Sequence, residues 1–273
     1  MKALKNNFRF SKRSFYYPGL ILLISVFLLS FTTDPNDGLK ADVSKNINEE
    51  NATIHLNLRV HIMQDITMVH STGVVMENWI TPRDIKETIM PEVNSIWKQA
   101  NIQWDIESII EENVVKGDTY EESLTFIAGT KRDAEGHSDS DRLPHLYSLM
   151  QPQNMSKADE LDKNLFHIYL FPFIGNTSQG NAMRPYNWST VVGTWSNKSN
   201  KGGIPEKALL TEDHKSFKKG SLSRTIAHEI GHVLSLQHNQ CETDCLMGGK
   251  SQGYLLTNEQ IAAARLAASK RLK

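Results

Sequence analysis

The residues best suited to chemistry lie in one eleven-residue stretch, residues 228 to 238, which reads HEIGHVLSLQH. It contains three histidines, His228, His232 and His238, and one acid, Glu229. On an α-helix, residues four apart lie on the same face, so His228 and His232 can offer two imidazoles to one ion. Glu229 is turned about 100° from His228, which places it near that ion but not on it. The pattern therefore favours a metal site with a general base beside it.

The third histidine can join this site only if the helix ends. His238 is six residues past His232, which turns it away from the ligand face of a continuous helix. We therefore predict that the helix ends near Ser235 and that a bent chain returns His238 as third ligand. Three neutral nitrogen ligands with one open position are typical of catalytic zinc, whereas structural zinc usually has four protein ligands. The sequence predicts a Zn²⁺ site that does chemistry.

The stretch resembles the motif of the metzincin clan of zinc endopeptidases, H-E-x-x-H-x-x-G-x-x-H, which is followed by a Met-containing turn. Met247, within the sequence CLMG, lies nine residues past His238. The glycine of the clan is Ser235 here, and a left-handed bend costs serine roughly 1 kcal/mol. We expect a somewhat different bend and an intact site. Asn239, which follows the third histidine, does not identify a subfamily.

The resemblance implies hydrolysis of a peptide bond by water activated on zinc. The three histidines hold the ion, and Glu229 carries the water proton to the leaving amine. Met247 forms an apolar floor beneath the histidines. Some metzincins place a tyrosine just after this turn, so Tyr254 is a candidate oxyanion stabiliser. A plain core or surface role is the open alternative for Tyr254.

Other functions remain open at this point. In a gluzincin-type hydrolase a downstream glutamate is the third ligand, and Glu259 is the best-placed candidate. A non-catalytic surface protein could keep the zinc site and bind a partner, although metal binding alone does not need Glu229. A chance match in a helix with surface histidines is the last alternative.

The amino terminus predicts export. A basic stretch without acids precedes a run of thirteen apolar or small residues, positions 19 to 31. This run is short for a membrane span and typical of a signal peptide, with an uncleaved anchor as alternative. We assign residues 1–33 to a signal peptide or anchor, 34–52 to a linker and 53–273 to the catalytic domain. The protein is then secreted, periplasmic or on the cell surface.

The two cysteines, Cys241 and Cys245, bracket the loop between His238 and the Met turn. In an exported protein, two nearby cysteines are expected to form a disulfide that holds this loop. Reduced thiols are the alternative.

Composition and net charge limit the kinds of partner that the protein is expected to bind. The chain has 273 residues and a net charge of −1, with 22% charged residues, so charge gives no case for a nucleic-acid partner. We expect a monomer that acts on a peptide or protein, with membrane contact only through an uncleaved amino-terminal segment.

Hydrophobic patterns place the elements around the site. Residues 53–63 and 102–109 alternate as half-buried strands, with His55 and His61 on the solvent face. Thr81-Pro82 begins a helix that Pro91 interrupts. The apolar run 165–174 predicts a central strand. Further strands are predicted at 189–196 and 206–210, and a helix begins at the capping box Thr257 to Gln260.

Residues 111–163 form an acidic, irregular segment. It contains two possible short helices, Tyr120 to Ala128 and Arg142 to Met150, and the acidic run 135–142. That run is a weak candidate for a calcium loop, and a solvated turn is the simpler interpretation. The segment is a candidate insertion that shapes the cleft.

Together with the metzincin resemblance, these patterns predict an α+β fold. The resemblance implies a twisted mixed β-sheet of about five strands with a long backing helix and an active-site helix. A short carboxyl-terminal subdomain then ends in a helix. In metzincins the edge strand runs along the cleft and pairs with extended substrate, and we assign that role to residues 189–196.

Overall fold

The computed structural model describes residues 52–128, 139–150, 165–175, 179–183, 189–197, 203–211, 221–238, 244–248 and 253–272. All of them belong to one compact unit, Asn48–Lys273. The other unit, Met1–Ile47, holds the predicted export segment and lies outside the described residues. Within the described ranges, no helix is both long and apolar enough to cross a lipid bilayer.

The described strands form one main sheet and two small ribbons. In chain order they are β1 (Ile54–Gln64), β2 (Thr67–Val69), β3 (Val75–Glu77), β4 (Ile102–Asn113), β5 (Leu165–Phe171), β6 (Gly180–Met183), β7 (Ser189–Gly193), β8 (Trp195–Asn197) and β9 (Pro205–Lys207). The main sheet has five of these strands, in the order β4-β1-β5-β7-β6. Neighbouring strands are parallel, except that β6 runs antiparallel to β7. The predicted mixed five-stranded sheet is confirmed.

The described helices are α1 (Pro82–Asp84), α2 (Met90–Trp97), α3 (Tyr120–Ile127), α4 (Leu143–Leu149), α5 (Leu222–Val233) and α6 (Asn258–Arg271). The predicted α+β class is confirmed, with a backing helix, a helix that carries the histidine motif and a terminal helix. The possible helices of the acidic segment correspond to α3 and α4. Residues 135–138 of the weak calcium-loop candidate lie outside the described residues.

The backing helix begins and bends as its sequence indicates. Thr81 caps α1 through a reciprocal capping box with Asp84, and Pro82 occupies the first turn. Before Pro91 the helix widens into a π-helical segment, Ile85–Ile89, in which the Met90 N–H donates to the Ile85 carbonyl. Proline has no N–H and its ring crowds the preceding turn, so a wider turn accommodates it. The predicted interruption is therefore a π-turn between α1 and α2.

Two apolar cores lie on opposite faces of the main sheet. Successive residues of β5 and β7 alternate between the cores, as the pleat requires. The main core contains one face of the sheet with α2, α5 and buried residues of α6. The second core packs residues of α3 and α4 against the other face. The acidic segment thus covers the far face of the sheet.

The buried position of His61 contradicts one prediction. It was expected on a solvated face of β1, but its side chain is 0% exposed. Its ring stacks on Tyr169 with centroids 4.2 Å apart, and its Nε2 lies 2.9 Å from Nδ1 of His167. The face of β1 opposite the main core is covered by the second core, so it is not solvated there. His55, nearer the strand's start, is 63% exposed as expected.

The identity of the strand at the edge of the sheet contradicts a second prediction. Residues 189–196 were expected to form the edge strand, but β7 lies between β5 and β6. The edge strand on this side of the sheet is β6, which lies in a stretch rich in Gly and Asn. The strand predicted at 206–210 is β9, at Pro205–Lys207, and it pairs with β8 in a separate ribbon.

Candidate metal centre

Helix α5 positions the first two histidines. Ser221 caps it, with its side-chain oxygen accepting from the Arg224 N–H at 3.3 Å. Such a cap contributes about 1 kcal/mol to helix stability. The apolar face of α5 packs into the main core, which leaves His228 buried, His232 half-buried and both at the metal-site face.

The helix ends as the spacing of His238 requires. Ser235 has a φ of 71°, in the left-handed region. The Leu236 N–H donates to the Gly231 carbonyl at 2.9 Å, and the Ser235 N–H donates to the His232 carbonyl at 3.0 Å. These two bonds form a Schellman motif, which closes a helix and reverses the chain. The chain then brings the exposed His238 back towards α5.

The three imidazoles converge at their Nε2 atoms. Nε2 of His238 lies 3.0 Å from Nε2 of His228 and 2.9 Å from Nε2 of His232. Two nitrogens bound to one tetrahedral zinc ion lie roughly 3.3 Å apart, given Zn–N bonds of about 2.0–2.1 Å. Among the described residues, these three histidines form the group that could hold a metal ion.

Backbone carbonyls determine which nitrogen faces the centre. Nδ1 of His228 lies 2.5 Å from the Leu246 carbonyl, and Nδ1 of His232 lies 2.9 Å from the Leu236 carbonyl. A carbonyl only accepts, so both Nδ1 atoms carry the proton and both Nε2 atoms present lone pairs. A proton on Nε2 of His238 can be donated to only one of these two lone pairs. A metal ion, in contrast, can accept a lone pair from each of the three histidines. The donor set therefore fits a metal ion.

Burial keeps the first ligand in the form that binds metal. Desolvation of the charged imidazolium lowers the pKa of His228 to about 3. His228 is therefore neutral at physiological pH, as a metal ligand must be.

Glu229 lies beneath the edge strand. Its side chain is buried, and its carboxylate accepts a hydrogen bond from the Ala182 N–H of β6. Burial raises the pKa of Glu229 to about 8, although this bond and the charges of Arg224 and Arg142 oppose the shift. A Cβ added at Gly180 would lie 2.4 Å from Cγ of Glu229, so only glycine permits this approach of β6.

Met247 packs against α5, and its role as a floor beneath a metal ion stays a prediction. Its side chain is 0% exposed, and a Cβ added at Gly231 would lie 2.5 Å from its Sδ. Gly231 stands between Glu229 and His232 in the motif, so Met247 packs directly against the segment that carries them. The structure brings the predicted floor and the predicted ligands together.

The other predicted residues have mixed outcomes. Glu259 is exposed in the first turn of α6 and is not part of the histidine group. Tyr254 is half-buried against the main core, and its carbonyl accepts from Gln99 Nε2 at 2.8 Å. Its oxyanion role stays a prediction. Cys245 is buried, but Cys241 lies outside the described residues, so the disulfide also stays a prediction.

Sequence reasoning missed three contributors to the site. Gly180 and Ala182 contact Glu229 from a four-residue strand that is too short to show a hydrophobic pattern. Arg224 contacts the backbone of the Met turn. The sequence does contain a signal that could have identified Arg224. It is four residues before His228 and therefore lies on the same helix face.

No protein-family model and no curated protein matches this chain. One similar chain is in a solved structure described as "Structure of a chaperone-substrate complex". It is 14% identical with a TM-score of 0.40, and the match covers 80% of this chain and 35% of that one. A likeness at this level bears on neither the fold nor the function.

Proposed function

We propose that this protein is a secreted or surface zinc-dependent endopeptidase of the metzincin type. The observation that carries the proposal is the convergence of three Nε2 atoms on one point, with Glu229 adjacent on the same helix. A structural metal site needs no such carboxylate. The pairing of three neutral ligands with an acid favours hydrolysis.

Zinc is the ion that suits these ligands best. Imidazole nitrogens bind zinc well, and three protein ligands leave a position for water or substrate. When bound, zinc polarises the scissile carbonyl and lowers the pKa of water. Here His228, His232 and His238 would hold it, with their orientation maintained by the Leu246 and Leu236 carbonyls.

Glu229 would carry the proton. Burial raises its pKa to about 8, and the positive charge of a bound zinc ion would lower that pKa towards the value that a general base needs near neutral pH. To reach water, its carboxylate must emerge from beneath β6, which buries it. The edge strand β6 must therefore adjust when substrate binds.

The edge strand also supports a peptide as substrate. β6 pairs with β7 on one side, and no described strand pairs with its other side. An extended peptide can add to such an edge through main-chain hydrogen bonds. An edge that borders the metal centre would place a peptide bond near Glu229.

Metal analysis and proteolysis of the full-length chain test the proposal. The expected result is one zinc per chain and cleavage of a labelled unfolded protein such as casein. Glu229→Gln should keep the zinc and lose activity by at least a hundredfold. His238→Ala should lose most of the zinc. A wild-type chain that binds no zinc would overturn the proposal.

A second candidate function is a zinc-containing protein that binds a partner without turnover. The burial of Glu229 under β6 favours it, because a covered carboxylate cannot reach water. In that case the wild-type chain binds zinc but cleaves nothing, and Glu229→Gln changes neither property.

A further inference from the structure

Arg224 joins the helix that carries the histidine motif to the Met turn and to the segment that begins at Gly253. Its Nε donates to the Gly253 carbonyl at 2.8 Å. Its Nη2 donates to the Leu246 carbonyl at 3.1 Å and contacts the Cys245 carbonyl at 3.4 Å. The side chain thus connects α5 to the Met turn and to the segment that leads into α6.

The Leu246 carbonyl is shared with a metal ligand. It accepts from Arg224 and also from Nδ1 of His228. A carbonyl oxygen has two lone pairs, so it can accept both bonds at once. Arg224 thereby determines where this oxygen lies, and the oxygen determines the tautomer and rotation of His228.

The segment around this carbonyl is also bonded within itself. The Leu246 N–H donates to the Leu255 carbonyl at 2.8 Å, and the Leu255 N–H donates to the Asp244 carbonyl at 3.0 Å. Both bonds lie within the segment that runs from the Met turn towards α6. They keep it together but do not attach it to the histidine helix. Arg224 and His228 attach it to α5 through the Leu246 carbonyl.

We propose that Arg224 is a positioning residue that tunes the metal affinity of the site through the Leu246 carbonyl. The inference rests on the proposed metal site and names a residue outside the histidine motif. Groups that orient a metal-bound histidine typically change metal affinity 10- to 100-fold when they are lost. Because Arg224 acts through a carbonyl, we expect the lower end of this range.

Arg265 provides a matched control, because its loss shows what removal of a purely structural arginine does. Arg265 on α6 also donates to three backbone carbonyls, those of Ala100 at 2.8 Å, Asn101 at 3.3 Å and Ala52 at 3.0 Å. Like Arg224 it is half-buried, but it holds the carboxyl-terminal helix and not the Met turn. Loss of Arg265 should reduce stability without changing the metal site.

The experiment measures zinc affinity of the full-length chain by competition with a chromophoric chelator, and the visible absorption of the Co²⁺ form. Arg224→Met should bind zinc about tenfold more weakly and shift the Co²⁺ bands. Arg224→Lys keeps the charge but cannot reach both the Gly253 and Leu246 carbonyls, so it should also bind more weakly. It serves as the milder variant if Arg224→Met does not fold. Arg265→Met should bind as the wild type does.

Three results would overturn the inference while leaving the proposed function intact. These are wild-type affinity in Arg224→Met, equal loss in Arg265→Met, or full affinity in Arg224→Lys, which would indicate a charge effect. A wild-type chain that binds no zinc would overturn the proposed function and this inference together.

Discussion

At the scale of single residues, Ser235 allows His238 to join the site. Its φ of 71° is in a region that glycine adopts freely and other residues adopt at a cost of roughly 1–2 kcal/mol. The bend was predicted from the spacing of the histidines alone, because no continuous helix can present all three. The Schellman bonds that stabilise it depend on backbone geometry, which that spacing does not describe.

The bend predicts a stabilising substitution. Ser235→Gly should raise the free energy of unfolding of the metal-free chain by about 0.5–1 kcal/mol, since glycine removes the left-handed penalty but costs more entropy on folding. Urea denaturation measures this. Ser235→Ala retains the penalty and serves as the control. Equal stability of the glycine and alanine variants would contradict the prediction.

His167 shows how burial changes a titratable residue. It is 1% exposed, and burial followed by the nearby charges of His61 and Arg59 lowers its pKa to about 3. The unfolded value is about 6.5. Between these values the unfolded chain binds one proton more than the folded chain, so stability rises with pH. The contribution is present above pH 6.5 and is lost as pH falls towards 3.

This linkage predicts a pH-dependent difference between variants. From pH 6.5 to pH 5, His167 should cost the wild-type chain about 2 kcal/mol of unfolding free energy. His167→Gln removes this proton and should flatten the dependence by that amount, as measured by urea denaturation at each pH. Asn57→Gln, at an exposed position of β1, removes no titratable group and should leave the dependence unchanged. An unaltered slope in His167→Gln would contradict the assignment.

At the scale of elements, the predictable parts were those with strong periodicity or caps. The alternation in β1, the apolar run of β5 and the caps at Thr81 and Thr257 correspond to observed elements. The edge strand β6 was missed because Gly180–Met183 contains one glycine, one asparagine and little apolar character. Edge strands bury little surface, so hydrophobic patterns describe them poorly.

Because β6 closely approaches Glu229, one methyl group added at Gly180 is predicted to reduce activity. In Gly180→Ala the new Cβ would lie 2.4 Å from Cγ of Glu229, so the acid or the strand must move. Displacing a catalytic group by about 1 Å can cost a hundredfold in rate. We expect a loss of at least tenfold in kcat/KM with zinc content unchanged. Peptidase assays and metal analysis measure the two quantities.

A second glycine provides the control for this experiment. Nothing lies within 4 Å of a Cβ added at Gly117. Gly117→Ala should therefore keep full activity. Full activity in Gly180→Ala as well would show that β6 does not need its present distance from Glu229.

At the scale of the whole molecule, the carboxyl-terminal helix completes the core that supports the metal centre. Ala264 and Ala268 of α6 are both 0% exposed in the main core, which also contains the apolar face of α5. Arg265 ties the same helix to the Ala52 carbonyl, near the start of β1. The short final subdomain is thus packed into the centre of the fold.

This packing predicts that leucine substitutions at two alanines of α6 will have different effects on stability. Ala264→Leu adds volume inside a filled core and should lower the unfolding free energy by about 1–3 kcal/mol. Ala262, two residues earlier, is exposed, and Ala262→Leu should change stability by less than about 0.5 kcal/mol. Thermal or urea unfolding compares the pair. Similar effects at both positions would contradict the placement of α6.

The bond between Arg265 and Ala52 joins residues 213 positions apart. During synthesis on the ribosome the strands β1 to β7 emerge before the three histidines and α6. Long-range closure of this kind is slow and must wait for the final helix. The core that contains the apolar face of α5 is therefore completed only after α6 has emerged. A chain with this order of assembly builds its sheet first and the support of its candidate metal site afterwards.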